Sequence, residues 1–195
     1  ACALLLHDGQ DWLALVSCDL IGLNAASVAR MRRRIAARCS IPAGNILVAC
    51  THTHSAPAGM PMRGTVGRFD EDWAREAQEK IVTLVSGLPR RLGPARIGWA
   101  FEQVPGIGHN RQEEGRPLDE QIGVLSIERP DGSPPATVLN YATHAVVLGP
   151  DNMEVSADFP GAAAREVERR RGGTCLYLQG ACGDGNPALY RDRGW

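Results

Sequence analysis

The chain has 195 residues, enough for one domain with a substantial core, and its 44% hydrophobic and 22% charged residues are ordinary for a globular protein. A net charge of −1 gives no electrostatic reason to expect a nucleic acid partner. The longest apolar runs are too short to span a bilayer, so no transmembrane segment is expected. Arginines concentrate at Arg30–Arg38 and Arg165–Arg171, which we interpret as solvated helix faces, with a DNA-facing surface as the alternative.

The ends of the chain suggest a piece of a longer protein. It begins at Ala1 without an initiator Met, runs directly into the apolar stretch Ala3–Leu6, and shows no signal-peptide pattern. It stops at Trp195 in a polar, Gly-containing segment. We therefore expect residues 1–195 to form one partial domain that is truncated at both ends.

The first half of the chain predicts two buried strands separated by a helix. Trp12–Ser17 is a short apolar run typical of a strand. A helix is predicted from Asn24, as N-cap, to Cys39, because Val28, Met31 and Ile35 have helical spacing. Pro42 and Gly44 break it, and Ile46–Cys50 reads as the second strand.

The second half adds two helices and four strands. Asp70–Asp72 place acids in the first turn of a helix that Pro89 ends, with an apolar stripe at Trp73, Ala77, Ile81, Leu84, Val85 and Leu88. Strands are predicted over 95–104, 121–128 and 136–141, the last two as a hairpin around Pro130–Gly132. A third helix runs from Asp158 to Gly172, and a last strand covers 175–179. The pattern predicts an α/β fold, a mixed β-sheet flanked by helices.

The histidines are the sharpest chemical signal. His52 and His54 directly follow the strand 46–50, and residues two apart in an extended backbone point to the same side. His144 follows the strand 136–141 in the same way. Imidazole is a good zinc ligand, and α/β folds bind their ligands at the carboxyl ends of strands. The alternative is that these are hydrogen-bonded loop or core histidines.

Two loops could add polar groups to such a site. Gly180–Pro187 carries Asp184 between two glycines that allow tight turns, although an ordinary turn explains its composition equally well. Arg111 could bind a carbonyl or a carboxylate, with a surface arginine as the alternative. The six cysteines form no CxxC pair, so a cysteine zinc site is unsupported, and buried thiols or disulfides both stay open.

Taken together, these segments resemble the N-terminal catalytic domain of the neutral, non-lysosomal ceramidases and their bacterial relatives. The similar pieces, in the same order, are THTHSAPAG (Thr51–Gly59), Asn110-Arg111, NYATHAVVLGP (Asn140–Pro150), SADFPG (Ser156–Gly161) and QGACGDGNP (Gln179–Pro187). The resemblance implies a zinc-dependent hydrolase that cleaves the amide of ceramide or of another N-acyl lipid, with a role in sphingolipid metabolism.

The resemblance also assigns residues. It implies His52 and His144 as zinc ligands, His54 as a neighbour that holds substrate or transfers protons, and Arg111 as a binder of the substrate's polar group. Asp184 and Asn186 complete the expected catalytic set. Asn186 stands where ceramidases carry Ser, which indicates a broader bacterial relative. The family's other ligands, a Glu and a Tyr, are expected beyond Trp195.

Several alternatives remain open from the sequence. The substrate could be another acyl amide or a phosphoester, or this chain could be a non-catalytic piece with an incomplete metal site. Asp19 and Asp158 are expected as carboxylates that orient an imidazole. The resemblance is compatible with a secreted or periplasmic protein, and neither the compartment nor the oligomeric state follows from the residues.

Overall fold

The computed structural model describes residues 1–62 and 67–192, and for residues 191 and 192 the backbone alone. The strands are β1 (Cys2–His7), β2 (Trp12–Cys18), β3 (Ile46–Cys50), β4 (Arg96–Gln103), β5 (Gly108–Asn110), β6 (Gln121–Glu128), β7 (Ala136–Tyr141), β8 (Thr174–Gln179) and β9 (Gly185–Pro187). The helices are α1 (Ala25–Ala36), α2 (Glu71–Ser86), α3 (Asp158–Arg171) and α4 (Ala188–Asp192), with 3-10 turns at Ala43–Asn45 and Leu88–Arg91.

The strands of the described chain form two mixed sheets and a small ribbon. The first sheet has the order β1-β2-β3, in which β1 is antiparallel and β3 parallel to β2. The second has the order β4-β6-β7-β8, with one parallel pair, β7 and β8. Each parallel pair is joined by a crossover helix, α1 or α3, as parallel strands require. The predicted mixed α/β fold is confirmed, and the single predicted sheet is in fact two.

The two sheets pack face to face between helices. Leu15 of the first sheet meets Val138 and Leu176 of the second in a shared apolar layer. Helices α1 and α2 cover the outer face of the first sheet, and α3 covers the outer face of the second. Each fully buried Leu or Val contributes about 1.5–3 kcal/mol relative to exposure, so this four-layer packing supplies the main stabilisation. It also fixes how the strand ends of the two sheets meet.

Local signals determine where the helices begin. The Asn24 side chain caps α1 by accepting a hydrogen bond from the Ser27 N–H at 2.8 Å, as the sequence predicted. Asp70 caps α2 in the same way through the Trp73 N–H at 2.9 Å. The predicted stripe of α2 was partly wrong, because Leu84 is exposed. Ala74, Gln78 and Val82 are buried instead, since α2 packs against α1 as well as the sheet.

Three of the described strands were not predicted, namely the three-residue β5 and β9 and the longer β1. The apolar stretch Ala3–Leu6 lies within β1, which pairs with β2 along its whole length. The turn between them is closed by the Asp8 carboxylate, which accepts the Gln10 and Asp11 N–H groups at 2.9 and 2.8 Å. The run was too short to be separated from a chain end by its pattern alone.

The arginine-rich helix faces carry ion pairs. Arg34 of α1 and Arg38, just after α1, bind Glu79, and Arg169 and Arg170 of α3 bind Glu166. All six cysteines are free thiols. Within residues 1–62 and 67–192, none of the helices combines the length and the apolar character needed to cross a membrane.

Candidate metal centre

Three imidazoles from two different sheets converge at one point. The ring centroid of His52 lies 4.9 Å from that of His144 and 5.1 Å from that of His54, and His54 lies 5.9 Å from His144. The potential ligand atoms of all three fall within 4.8 Å of one another. The structure therefore brings His52 and His144 together from the carboxyl ends of β3 and β7.

The backbone reaches this arrangement by a turn rather than by an extended HxH. The Thr51 and His52 N–H groups donate to the carbonyls of Cys18 and Leu20, so the chain beyond β3 still follows the chain beyond β2. His52 itself has φ +63°, in the left-handed region that costs a non-glycine residue about 1–3 kcal/mol. The expected extended geometry was wrong, because His52 turns there and its ring meets His54 edge to face, at 84°.

Backbone carbonyls orient the two rings that were expected to be ligands. Nδ1 of His52 lies 2.7 Å from the Ile21 carbonyl oxygen, and Nδ1 of His144 lies 3.1 Å from that of Gly185. Because a carbonyl only accepts, each Nδ1 must carry the proton, which leaves each Nε2 with its lone pair. Asp19 and Asp158 were expected in this orienting role. The structure gives it to main-chain oxygens, which side-chain patterns do not reveal.

The electrostatic surroundings of His52 and His54 lower the pKa of both imidazoles and favour their neutral form. Burial lowers the pKa of His52 below its usual value, although the Ile21 carbonyl opposes this. Burial lowers the pKa of His54 to about 4, and the neighbouring His52 and His144 add to the effect. The neutral form is the one that binds a metal, so these rings are ready as ligands at pH 7.

The donor set fits zinc. Two nitrogens bound to one zinc ion at 2.0–2.1 Å can be at most ~4.2 Å apart, so small ring rotations are enough from a separation within 4.8 Å. Three imidazoles are also a ligand set that zinc accepts in proteins. The residues present are therefore compatible with a zinc ion bound between the strand ends.

The other predicted residues form a neighbouring polar cluster. The backbone N–H of Arg111 donates to the Asp184 carbonyl at 2.7 Å, and the side-chain Nε of Arg111 donates to the Gly183 carbonyl at 2.9 Å. The Asp184 carboxylate accepts from the Asn110 side chain at 3.3 Å, and so braces the loop rather than reaching the histidines. Asn186 lies opposite His109 in the β5–β9 ribbon.

Arg111 and Asn186 line a cavity of about 250 Å³, together with His109, Asn110 and Tyr190. Arg111 is also close enough to His52 and His54 to lower the pKa of both imidazoles. Arg111 thus links the cavity to the histidine cluster electrostatically, although none of the three clustered histidines lines the cavity. His109 of β5 and Tyr190 of α4 were not assigned to the cavity from the sequence, because a three-residue strand and a five-residue helix have no periodic signal.

Comparison with known proteins points in the same direction. The chain is 25% identical over 166 residues to the neutral ceramidase of Pseudomonas aeruginosa, an alignment covering 74% of this chain and 24% of that protein. A solved structure of the Pseudomonas aeruginosa neutral ceramidase superposes with a TM-score of 0.81 at 23% identity, covering 95% of this chain and 33% of that one. The resemblance to the neutral ceramidases is confirmed.

A second solved structure, described as a ceramidase complexed with C2, gives a TM-score of 0.82 at 23% identity and covers 96% of this chain. The ceramidase-like fold therefore extends over nearly the whole chain. No family model matches the sequence. The chain spans about a quarter of the length of the curated relative and a third of that of the solved structures.

Proposed function

We propose that this chain carries the histidine side of the active site of a zinc-dependent amide hydrolase that acts on ceramide or another N-acyl lipid. The observation that carries the proposal is the meeting of His52, His54 and His144 from two sheets. The similarity to proteins named as ceramidases supports the amide as the bond that is cleaved. It favours an amide over the phosphoester that the residues alone leave open.

His52 and His144 are the residues that would hold the zinc, each through Nε2. Their Nδ1 atoms already contact the Ile21 and Gly185 carbonyls, which fixes both ring planes before any ligand binds. Zinc bound there supplies a Lewis acid that makes water nucleophilic near neutral pH. The two carbonyls thus serve as orienting groups for the metal ligands.

His54 is the proton carrier in this proposal. His54 is the most solvent-exposed of the three residues, although its ring is still partly desolvated. Its backbone N–H donates to the Ala145 carbonyl at 3.3 Å, which holds its backbone beside the His144 loop. When water attacks the amide carbonyl carbon, a neutral imidazole can accept a proton from it. The same ring nitrogen then donates that proton to the leaving amine as the C–N bond breaks.

The cavity that Arg111 lines would bind the polar part of the substrate. The backbone N–H of Arg111 is held by the Asp184 carbonyl, and its Nε is held by the Gly183 carbonyl. The remaining N–H groups of its guanidinium can donate to a carbonyl or hydroxyl oxygen of the substrate. Asp184 acts through the loop that it braces with Asn110. Asn186, on the ribbon that lines the cavity, offers both a donor and an acceptor to the head group.

Histidine variants test the proposal directly. His52→Ala and His144→Ala should lose stoichiometric zinc, measured by metal analysis and by competition with a chromophoric chelator. His54→Ala should keep zinc and lose hydrolysis of ceramide. His7→Ala is the matched control, because His7 stacks on Trp12 in the β1–β2 hairpin, away from the cluster, and should change neither property.

Two results would refute the assignment. Full zinc occupancy in His52→Ala would remove His52 from the ligand set. Hydrolysis of a phosphoester in preference to ceramide and other acyl amides would replace the amide by another substrate class. If the wild-type chain binds zinc but hydrolyses none of these substrates, the result supports His52 and His144 as zinc ligands and does not support the hydrolase activity.

A further inference from the structure

One short segment touches both histidine loops. The segment Ser156–Asp158, which we call the clasp, lies at the start of α3. The Thr53 hydroxyl donates to the Ser156 carbonyl at 2.7 Å, and the Ser156 N–H donates to the Ser55 carbonyl at 2.7 Å. Both contacts fall within the loop that carries His52 and His54, so that loop is tied to the clasp on either side of His54.

The other end of the clasp holds the loop that follows His144. The Asp158 carboxylate accepts hydrogen bonds from the Val147 N–H and the Leu148 N–H, both at 3.1 Å. It also accepts the Phe159 N–H of its own helix at 2.7 Å. Asp158 is only 6% exposed, and a buried carboxylate requires such partners. Loss of the Asp158 carboxylate would therefore leave the Val147 and Leu148 N–H groups of this loop without their acceptor.

Backbone strain marks the same place. Among the described residues, the two non-glycine residues with positive φ are His52, at +63°, and Asp158, at +54°. Such conformations persist only where surrounding contacts determine them, and they cluster at functional sites. The Asp158 N–H donates to the Ser156 hydroxyl at 3.0 Å, which helps to hold the clasp in this turn. His52 directly precedes Thr53, which donates to the clasp, and Asp158 is the last residue of the clasp.

We propose that Asp158 is a positioning residue that sets the spacing between the His52–His54 loop and the His144 loop, and thereby the affinity of the site for zinc. This inference rests on the proposed function. It differs from the role expected from the sequence, because the carboxylate acts on main-chain N–H groups and not on an imidazole. Asp158 contributes to the site without being a ligand or a catalytic residue.

The first test compares zinc dissociation constants of the wild-type chain and Asp158→Asn, by chelator competition well below the unfolding temperature. Asn has the shape of Asp and tolerates positive φ, but one end of its amide donates. At least one of the three N–H groups therefore loses its acceptor. We expect zinc affinity to fall about 10-fold, the lower range for groups that orient metal ligands. The Co²⁺ absorption spectrum should also shift, since it reports ligand geometry.

Asp8→Asn is the matched control. The Asp8 carboxylate also accepts two backbone N–H groups, but in the β1–β2 turn. It should leave the zinc dissociation constant and the Co²⁺ spectrum unchanged. A purely structural role for Asp158 would lower the unfolding temperature without moving either metal readout.

A second pair of variants tests the clasp where Asp158→Asn fails to fold. Thr53→Val removes the hydroxyl that donates to Ser156 while keeping the side-chain shape, and Thr53→Ser restores it. We expect Thr53→Val to weaken zinc binding and Thr53→Ser to recover most of it. Wild-type affinity in both Asp158→Asn and Thr53→Val would overturn the inference. Absence of zinc binding by the wild-type chain would instead overturn the proposed metal site, and the inference with it.

Discussion

The substitution Gly180→Ala tests how tightly the end of β8 packs against the end of β7, next to His144. Gly180 follows β8, and its N–H donates to the Tyr141 carbonyl at 2.9 Å. A Cβ atom added at Gly180 would lie 2.9 Å from the Ala142 Cβ and 3.1 Å from the Ala142 Cα. Its φ lies outside the left-handed region, so Gly180→Ala is a steric perturbation and not a conformational one.

The expected size follows from these contacts. Carbon atoms pack best about 3.5–4.0 Å apart, so the added methyl group is too close by roughly 0.6 Å or more. The atoms that it meets belong to backbone or to a short side chain, which cannot rotate away. Overpacking of this kind typically costs about 1–3 kcal/mol. For a domain of this length, that lowers the unfolding temperature by about 2–12 °C.

The same displacement should reach the metal site. Ala142 lies two residues before His144, whose ring is held by the carbonyl of Gly185. Pushing Ala142 away from Gly180 moves His144 relative to that carbonyl, so we expect zinc affinity to fall about 10-fold. Thermal unfolding followed by circular dichroism and chelator competition measure the two effects. Gly98→Ala, in β4 with no atom within 4 Å of the new Cβ, should be silent in both. A Gly180→Ala chain with wild-type unfolding temperature and wild-type zinc affinity would refute the packing argument.

Three further outcomes follow from other parts of the molecule. Asn24→Ala removes the acceptor for the Ser27 N–H and should cost about 1 kcal/mol in urea unfolding, whereas Asn24→Asp should not. Burial raises the pKa of Cys50 to about 12, so iodoacetamide at pH 8 should alkylate it in denatured but not in native protein, as peptide mass spectrometry would show. The Arg169 guanidinium lowers the pKa of Glu166 from 4.5 to about 2, so its stabilising effect is present above pH 4.5 and is lost as the pH falls toward 2. The stability difference between wild type and Glu166→Gln should therefore shrink across that interval, and a constant difference would contradict the ion pair.

Much of the fold could be predicted because its elements carry local signals. The strand 121–128 and the strand 136–141 have the predicted bounds, since a turn at Pro130–Gly132 separates two apolar runs. The stacking of two sheets could not be predicted. A strand buried between a helix layer and a second sheet shows the same apolar run as one buried between two helix layers, so the pattern does not distinguish them.

The candidate site, like the fold, could be predicted from the sequence only in part. The proximity of His52 and His144 could be anticipated, because each follows an apolar strand and strand ends gather ligands. The groups that orient their rings could not, since the carbonyls of Ile21 and Gly185 carry no residue-type signal. Asp158 was noticed as a carboxylate, but its partners are backbone N–H groups of a loop that only the folded chain brings near.

The stacking of the sheets explains why this site needs a clasp. In a single open sheet, neighbouring strands are joined by ladder hydrogen bonds, which fix the distance between loops at their ends. Here His52 follows a strand of one sheet and His144 a strand of the other, and apolar packing alone is non-directional. The His54 N–H bond to the Ala145 carbonyl joins the two loops directly. The Thr53 and Asp158 contacts add directional bonds through the clasp. Removing one of these contacts should change the distance between the imidazoles more than it destabilises either sheet.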